Sequence, residues 1–364
     1  MIKIIKILLI AILSIVLLFV FILVRLFAIK IVDSNLQINH MKDLNAYYDS
    51  SNFVPLDDAQ FSNFDLNDPS IKLNDIQMLA SHNSYKKRGS ALGKLFVGLG
   101  DSFKEANALK YGYKNFTDQF ESGIRSMEID VRLRKTSFVL THVPLVDNGS
   151  VAPDFAMALE EIKLYSDNNP NHIPIIMLME IKDDWMILDH ALQRIGSEQL
   201  EMLDALLIEK LGDTLFIPSE MMESGKSIQE TVTTTGWPSV QSLLGKVIFV
   251  LHPGSFTTPY YELDQTLSSQ AMFLGVYKND VDQDYATFVV HNDIDVASIS
   301  ALVDQGFIVR TRIDDYLIFE QDNFDNAILS GAQLLTSDFT IGRSDLSASK
   351  FIFLSNNKMI IRRT

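Results

Sequence analysis

The sequence predicts a parallel α/β domain carried behind an apolar N-terminal helix. Three observations predict it. Beyond residue 70, short β-rich runs alternate with longer stretches of helical spacing. Several of those runs are almost continuously apolar, as strands are when both faces of a sheet are covered. Finally, residues 7–24, "ILLIAILSIVLLFVFILV", form an eighteen-residue run with no charge and one Ser. As a helix it spans roughly 27 Å, close to the hydrocarbon thickness of a bilayer.

Taken in order, residues 1–30 read as a membrane anchor or a signal segment. The residues after the run, "RLFAIKIV", hold no small-x-small cleavage motif, which favours an uncleaved anchor. Lys3 and Lys6 precede the run and Arg25 and Lys30 follow it, so the flanking charges nearly balance. The terminal amine tips the topology towards N-in. The expectation is a single-pass, membrane-anchored protein with an extracytoplasmic domain, or a secreted one if the segment is cleaved. Residues 31–70 are polar and Asn/Asp-rich, and are read as a tether with one short helix. Residues 71–345 hold the α/β domain, and 346–364 a C-terminal tail.

Nine strand candidates follow, at 76–81, 124–133, 138–143, 173–181, 246–251, 272–277, 286–290, 307–313 and 333–336. Helical spacing occupies 154–166, 186–211 and 295–305. A (β/α)8 barrel needs eight strands. The 138–143 run follows its neighbour too closely for a crossover helix and is assigned as a hairpin partner. A doubly wound sheet stays open as an alternative, although no Gly-rich phosphate loop follows the first strand.

Composition narrows the function. With 364 residues and 47% hydrophobic content, the chain can bury a large core. The absence of cysteine excludes thiolate catalysis and cysteine-ligated metals. The net charge is −15; residues 1–30 contribute +4, leaving −19 on the remainder. Such a surface repels nucleic acid and attracts cations.

The strand ends carry the chemistry, as they do in barrels. The first run ends in His82-Asn83. "MEIDV" brings Glu128 and Asp130, "LTHVP" His142, "MEIKD" Glu180 and Lys182, "VRTRID" Arg310 and Arg312, and "TSDF" Asp338. At i, i+2 spacing each strand pair points to one side of the sheet. Ionisable groups in an apolar sheet cost several kcal/mol each unless paired or ion-bound. Two histidines can act as general base and acid in phosphodiester cleavage. Asn83, Glu128, Asp130 and Glu180 offer oxygen only, a donor set that suits Ca²⁺, and Mg²⁺ less well. Lysine or arginine would stabilise charge on phosphate oxygens.

The segments "IQMLASHNSY", "FESGIRSMEIDVR", "LTHVPLVD", "NPNHIPIIMLMEIKD", "GWPSVQSLLGKVIFVL", "GFIVRTRID" and "SGAQLLTSDF" together resemble the calcium-dependent phosphatidylinositol-specific phospholipase C family, collinearly over roughly residues 74–340. The resemblance implies a distorted TIM barrel of the phospholipase C-like phosphodiesterase superfamily. It implies His82 and His142 as catalytic residues and Asn83, Glu128, Asp130 and Glu180 as Ca²⁺ ligands. Lys182 and Arg310 would contact the substrate, a membrane phospholipid whose inositol 2-hydroxyl attacks phosphorus. The cysteine pair often found after the second histidine in that family is absent here.

Other readings stand beside this one. A glycerophosphodiester phosphodiesterase of the same superfamily would use the same ion and histidines. A non-catalytic barrel that binds lipid or a protein partner would need neither histidine. His172 is expected to close a loop, while His252 and His291 sit at strand ends. Arg310 and Arg312, with Asp314 and Asp315, form either a substrate site or a salt-bridge cluster, and Asp338 either orients a histidine or caps a loop. Leu92, Leu95, Phe96 and Leu99, near several lysines, belong either to a buried barrel helix or to a lipid-docking one.

Overall fold

A computed structural model describes residues 2–363. Ten strands form one sheet: β1 (Ile76–Ser81), β2 (Ser126–Arg134), β3 (Ser137–Leu140), β4 (Ile175–Ile181), β5 (Val247–Leu251), β6 (Met272–Tyr277), β7 (Ala286–Val290), β8 (Ile308–Arg312), β9 (Leu334–Ser337) and β10 (Ile360–Arg362). Eight of them close a parallel barrel. β1 pairs with β9 on one side, Met78 opposite Leu334, and with β2 on the other, Ala80 opposite Ser126. That closure rules out the doubly wound alternative. β3 turns back antiparallel on β2, with Leu133 opposite Phe138, so the 138–143 run is the hairpin partner that its short connection required.

β10 lies in the stretch expected as a tail. It pairs antiparallel with β1, Ile76 opposite Arg362. Only three residues long, it has no alternation from which to be recognised.

The main helices are α1 (Ile2–Tyr48), α2 (Ala91–Gly100), α3 (Phe103–Ala108), α4 (Phe116–Glu121), α5 (Phe155–Asn168), α6 (Ser197–Leu211), α7 (Pro218–Met221), α8 (Ile228–Thr234), α9 (Thr257–Tyr261), α10 (Val296–Asp304) and α11 (Gln321–Leu329). Local sequence sets their starts. Asp154 accepts from the Met157 backbone N–H, and Asp295 from that of Ser298, each satisfying an orphan donor of a first turn. In the 186–211 stretch the α-helix runs only over Ser197–Leu211; a single 3-10 turn at Met186–Leu188 and a loop precede it.

The core is apolar on both faces of the strands. Ile129, Val131, Ile175, Met177, Met179, Phe249, Leu251, Phe273 and Val289 are fully buried. Residues 31–48, expected as tether, continue α1 without a break, with Asp33, Gln37, Leu44 and Tyr48 buried. Their polar composition serves specific pairings with the barrel. Asp58 enters the core base, where Arg125 donates to both its carboxylate oxygens, at 2.7 and 2.5 Å.

Candidate active site

β1 ends in a turn at Asn83, whose φ of 48° is a left-handed conformation that asparagine tolerates better than bulkier residues. This turn aims His82 across the C-terminal end of the barrel. Its Nδ1 lies 3.0 Å from Asp338 Oδ1. A carboxylate only accepts, so Nδ1 carries the proton and Nε2 is the accepting nitrogen of the ring. The Asn83 amide donates to Tyr111 Oη at 3.0 Å, and its nitrogen lies 3.3 Å from His82 Nε2.

His142 lies on the loop after β3. Its Nδ1 lies 3.0 Å from Asp147 Oδ2, which fixes the same tautomer. Asp147 is buried, and its other oxygen lies 3.3 Å from the fully buried ammonium of Lys86. Burial opposes ionisation of Asp147, but Lys86 and His142 together hold its carboxyl below the ordinary value.

The two histidines line one cleft of about 310 Å³, together with Asn83, Glu128, Glu180 and Lys182. Arg312, Tyr316, Glu105 and Asp338 also stand in its wall. Glu128 is buried, yet Arg310 and then His82 draw its carboxyl down to about 2. Glu180 is pushed up by burial and by Asp130. Lys182 Nζ bridges Asp130 at 3.0 Å and Glu180 at 3.3 Å, and these two carboxylates raise its pKa against its own burial.

Asp130 lies just behind the cleft. Its Oδ2 accepts from Tyr85 Oη at 3.0 Å, while its Oδ1 is buried with no partner. An orphaned, buried carboxylate oxygen is the kind of acceptor that a hard cation satisfies. Among the described residues no three acidic or histidine side chains are gathered into a closed metal cage. Arg310 and Lys182 hold the carboxylates instead. The donor set fits Ca²⁺ by chemistry: three carboxylates and an amide oxygen, with no nitrogen or sulfur ligand required.

Arg310, assigned from the sequence to substrate, is buried. Its guanidinium donates to Glu128 at 2.6 Å, to Thr336 Oγ1 at 3.0 Å, and to Asn292. Arg312 is the arginine that lines the cleft; it lies 3.5 Å from Asp338 Oδ2. Asp338 orients a histidine rather than capping a loop. The sequence reading missed Asp147, Lys86 and Tyr111. Asp147 lies five residues after His142 in a loop of no regular period, and a buried lysine gives no pattern at all. His172 closes its loop, with Nε2 2.9 Å from Ser166 Oγ, and burial lowers its pKa to about 4.

A family model described as phosphoinositide phospholipase C, Ca²⁺-dependent, matches residues 71–134 and 131–363. Two solved structures of a calcium-dependent phosphoinositol-specific phospholipase C from a Gram-negative Pseudomonas species share this fold. One, with myoinositol, is 17% identical with a TM-score of 0.58, over 82% of this chain and 97% of that one. Another crystal form is 18% identical with a TM-score of 0.58, over 84% and 99%. A Ca²⁺-dependent phosphatidylinositol-specific phospholipase C from Streptomyces antibioticus is 18% identical with a TM-score of 0.55, over 74% and 95%. At these identities the likeness is one of fold. No curated protein matches the chain.

Proposed function

The chain belongs to the Ca²⁺-dependent phosphoinositide phospholipase C family and is a phosphodiesterase, and from that membership we propose that it cleaves phosphatidylinositol or a closely similar phospholipid by paired-histidine catalysis. The observation that supports this most is the matched pair of imidazoles. His82 and His142 line the same cleft, and a buried carboxylate holds each by Nδ1. Nε2 is thereby the basic nitrogen of each ring, that of His82 lying 3.3 Å from the Asn83 amide nitrogen, which substrate or ion binding would have to displace.

In this reading one Nε2 takes the proton of the inositol 2-hydroxyl as its oxygen attacks phosphorus. The other imidazolium gives its Nε2 proton to the glycerol oxygen. The bond to the 2-oxygen forms as the bond to diacylglycerol breaks, giving a cyclic inositol phosphate. Water then opens the cycle with the two roles reversed. Asn83, Glu128, Asp130 and Glu180 would hold Ca²⁺, which supplies a Lewis acid for the phosphate oxygens. Lys182 and Arg312 face the same negative charge from the cleft wall. α1 would anchor the protein in the membrane that holds its substrate.

The test is hydrolysis of phosphatidylinositol in mixed vesicles, with the phosphate products followed by ³¹P NMR. A cyclic phosphate that appears first and then declines is the expected course. A linear phosphomonoester from the first time point, or no turnover, overturns the reading.

A further inference from the structure

One face of α1 packs against the loops that carry the two histidines. Leu26, Asp33 and Gln37 are buried, and their spacing along the helix puts them on a single stripe. Each meets a different point of the loop between β3 and α5. The Asn148 amide donates to the Leu26 carbonyl at 3.0 Å, and the Ser150 backbone N–H to Asp33 Oδ2 at 3.1 Å. Gln37 donates to the Asp154 carbonyl and accepts from the Asp154 N–H, each at 2.9 Å. The loop is thereby held from the residue after Asp147, the partner of His142, to the start of α5.

Asp33 reaches the loop of the other histidine as well. Its Oδ1 accepts from Lys87 Nζ at 2.8 Å, on the segment that follows the His82 turn. The two loops meet there as a short antiparallel ladder, with Lys86 opposite Ser150. The Lys87 N–H donates to the Gly149 carbonyl at 3.0 Å, and the Val151 N–H to the Tyr85 carbonyl at 2.8 Å. From the same ladder Lys86 sends its ammonium to Asp147. A single carboxylate of α1 therefore touches both strands of the ladder that joins the His82 turn to the group orienting His142.

Packing alone does not call for a carboxylate at this place, since a buried one costs several kcal/mol unless it is paired. Beyond the loops the same stripe turns apolar, at Leu44 and Tyr48. The chain has no cysteine, so no disulfide can tie these loops instead.

We propose that the 26–37 stretch of α1 is a strut of the active site, and that Asp33 is a positioning residue for the paired histidines. By clipping the His82 loop to the His142 loop, it sets the separation at which the two imidazoles face a phosphodiester. This role rests on the paired-histidine reading of the cleft, and is independent of what the apolar run of α1 does in a bilayer.

The test compares full-length Asp33→Ala and Asp33→Asn with the wild type, by backbone hydrogen exchange and by turnover of phosphatidylinositol in mixed vesicles. In Asp33→Ala, exchange should quicken in both loop segments, 83–90 and 142–154, and stay unchanged in β4 and β5. kcat should fall on the order of 10²-fold, the effect of about 1 Å of misplacement at the reacting groups, and KM should change less. Asp33→Asn keeps an acceptor for Ser150 and should fall between alanine and wild type. Unchanged exchange in the loops, or quickened exchange with wild-type kcat, overturns the strut. If the alanine variant does not fold, Asp33→Asn decides alone, and wild-type exchange and kcat in it overturn the proposal. Absence of turnover by the wild type overturns the phospholipase reading; the exchange of the two loops then decides by itself whether the helix clips them.

Discussion

His142 Nδ1 lies 3.0 Å from Asp147 Oδ2, and the same carboxylate lies 3.3 Å from the buried ammonium of Lys86. Lys86 also donates to the carbonyls of Leu109 and Tyr111 beside the cleft. Removing the cation would leave Asp147 buried with only the His142 imidazole as a partner. Lys86→Met should therefore cost about 3–5 kcal/mol of stability, because a single broken partner leaves an uncompensated charge. Urea denaturation of the purified variant measures it. A midpoint equal to the wild type would show that the lysine is a spectator.

Asp338 plays the corresponding part for His82, with Nδ1 and Oδ1 3.0 Å apart. Asp338→Asn can present an N–H to the ring and so reverse its tautomer, leaving Nε2 protonated. The expected result is a fall in kcat of about 10²–10⁴-fold, the usual range for general acid–base catalysis. KM should change less than kcat, since the main partner of Asp338 is His82 and its contact with Arg312 is longer, at 3.5 Å. A proportional rise in KM with kcat preserved would assign Asp338 to binding instead.

How far the sequence disclosed this depended on periodicity. β1, β6 and β7 are legible to the residue, because apolar runs bounded by turn residues have few other solutions. His82, Glu128, His142 and Glu180 were legible because strand ends and i, i+2 spacing say which side chains point together. Lys86 and Asp147 were not, since their pairing comes from loops that meet only in three dimensions. Arg310 and Arg312 share one strand and one parity, yet one is buried on Glu128 and the other lines the cleft. Spacing gives a face; depth within the barrel is set by neighbours remote in the chain. The helical course of 31–48 was hidden for a related reason. Its polar residues suggested solvent, whereas Asp33, Gln37 and His40 each have a partner on the barrel.

Acid stability should follow Asp147. Its carboxyl is held below the unfolded value of 3.8, so the folded chain binds that proton more weakly than the unfolded one. The stability it contributes is complete above the unfolded value and is lost as pH falls through the lower, folded one. Asp147→Asn removes this contribution. Thermal midpoints measured from neutral pH down to below 3.8 should fall less steeply in the variant than in the wild type. Parallel acid limbs would mean that Asp147 titrates alike in both states.

Metal removal separates the two roles of the carboxylates. If Asn83, Glu128, Asp130 and Glu180 bind Ca²⁺, EGTA should abolish turnover, and Ca²⁺ should restore it better than Mg²⁺, which tolerates a narrower coordination geometry. Calorimetry of the chelated protein should then show one Ca²⁺ site, absent from Asp130→Asn. Unchanged rates in EGTA would assign these groups to their ion pairs with Lys182 and Arg310 alone.

Arg125 and Asp58 test where the folded unit begins. Both side chains are fully buried, joined by two hydrogen bonds, and Asp58 also accepts from the Ile173 backbone N–H at 2.8 Å. Arg125 donates further to the carbonyls of Phe120 and Ile124 and to Tyr165 Oη at 3.0 Å. A chain that starts at residue 71 keeps every barrel strand but strands this guanidinium in the core base. It should lose about 3–5 kcal/mol relative to one starting at residue 49, the cost of breaking a buried pair from one side. Asp58→Ala in the full chain should reproduce most of that loss. If the shorter chain unfolds at the same denaturant concentration as the longer one, the segment before residue 71 is dispensable, and Arg125 finds its counter-charge elsewhere.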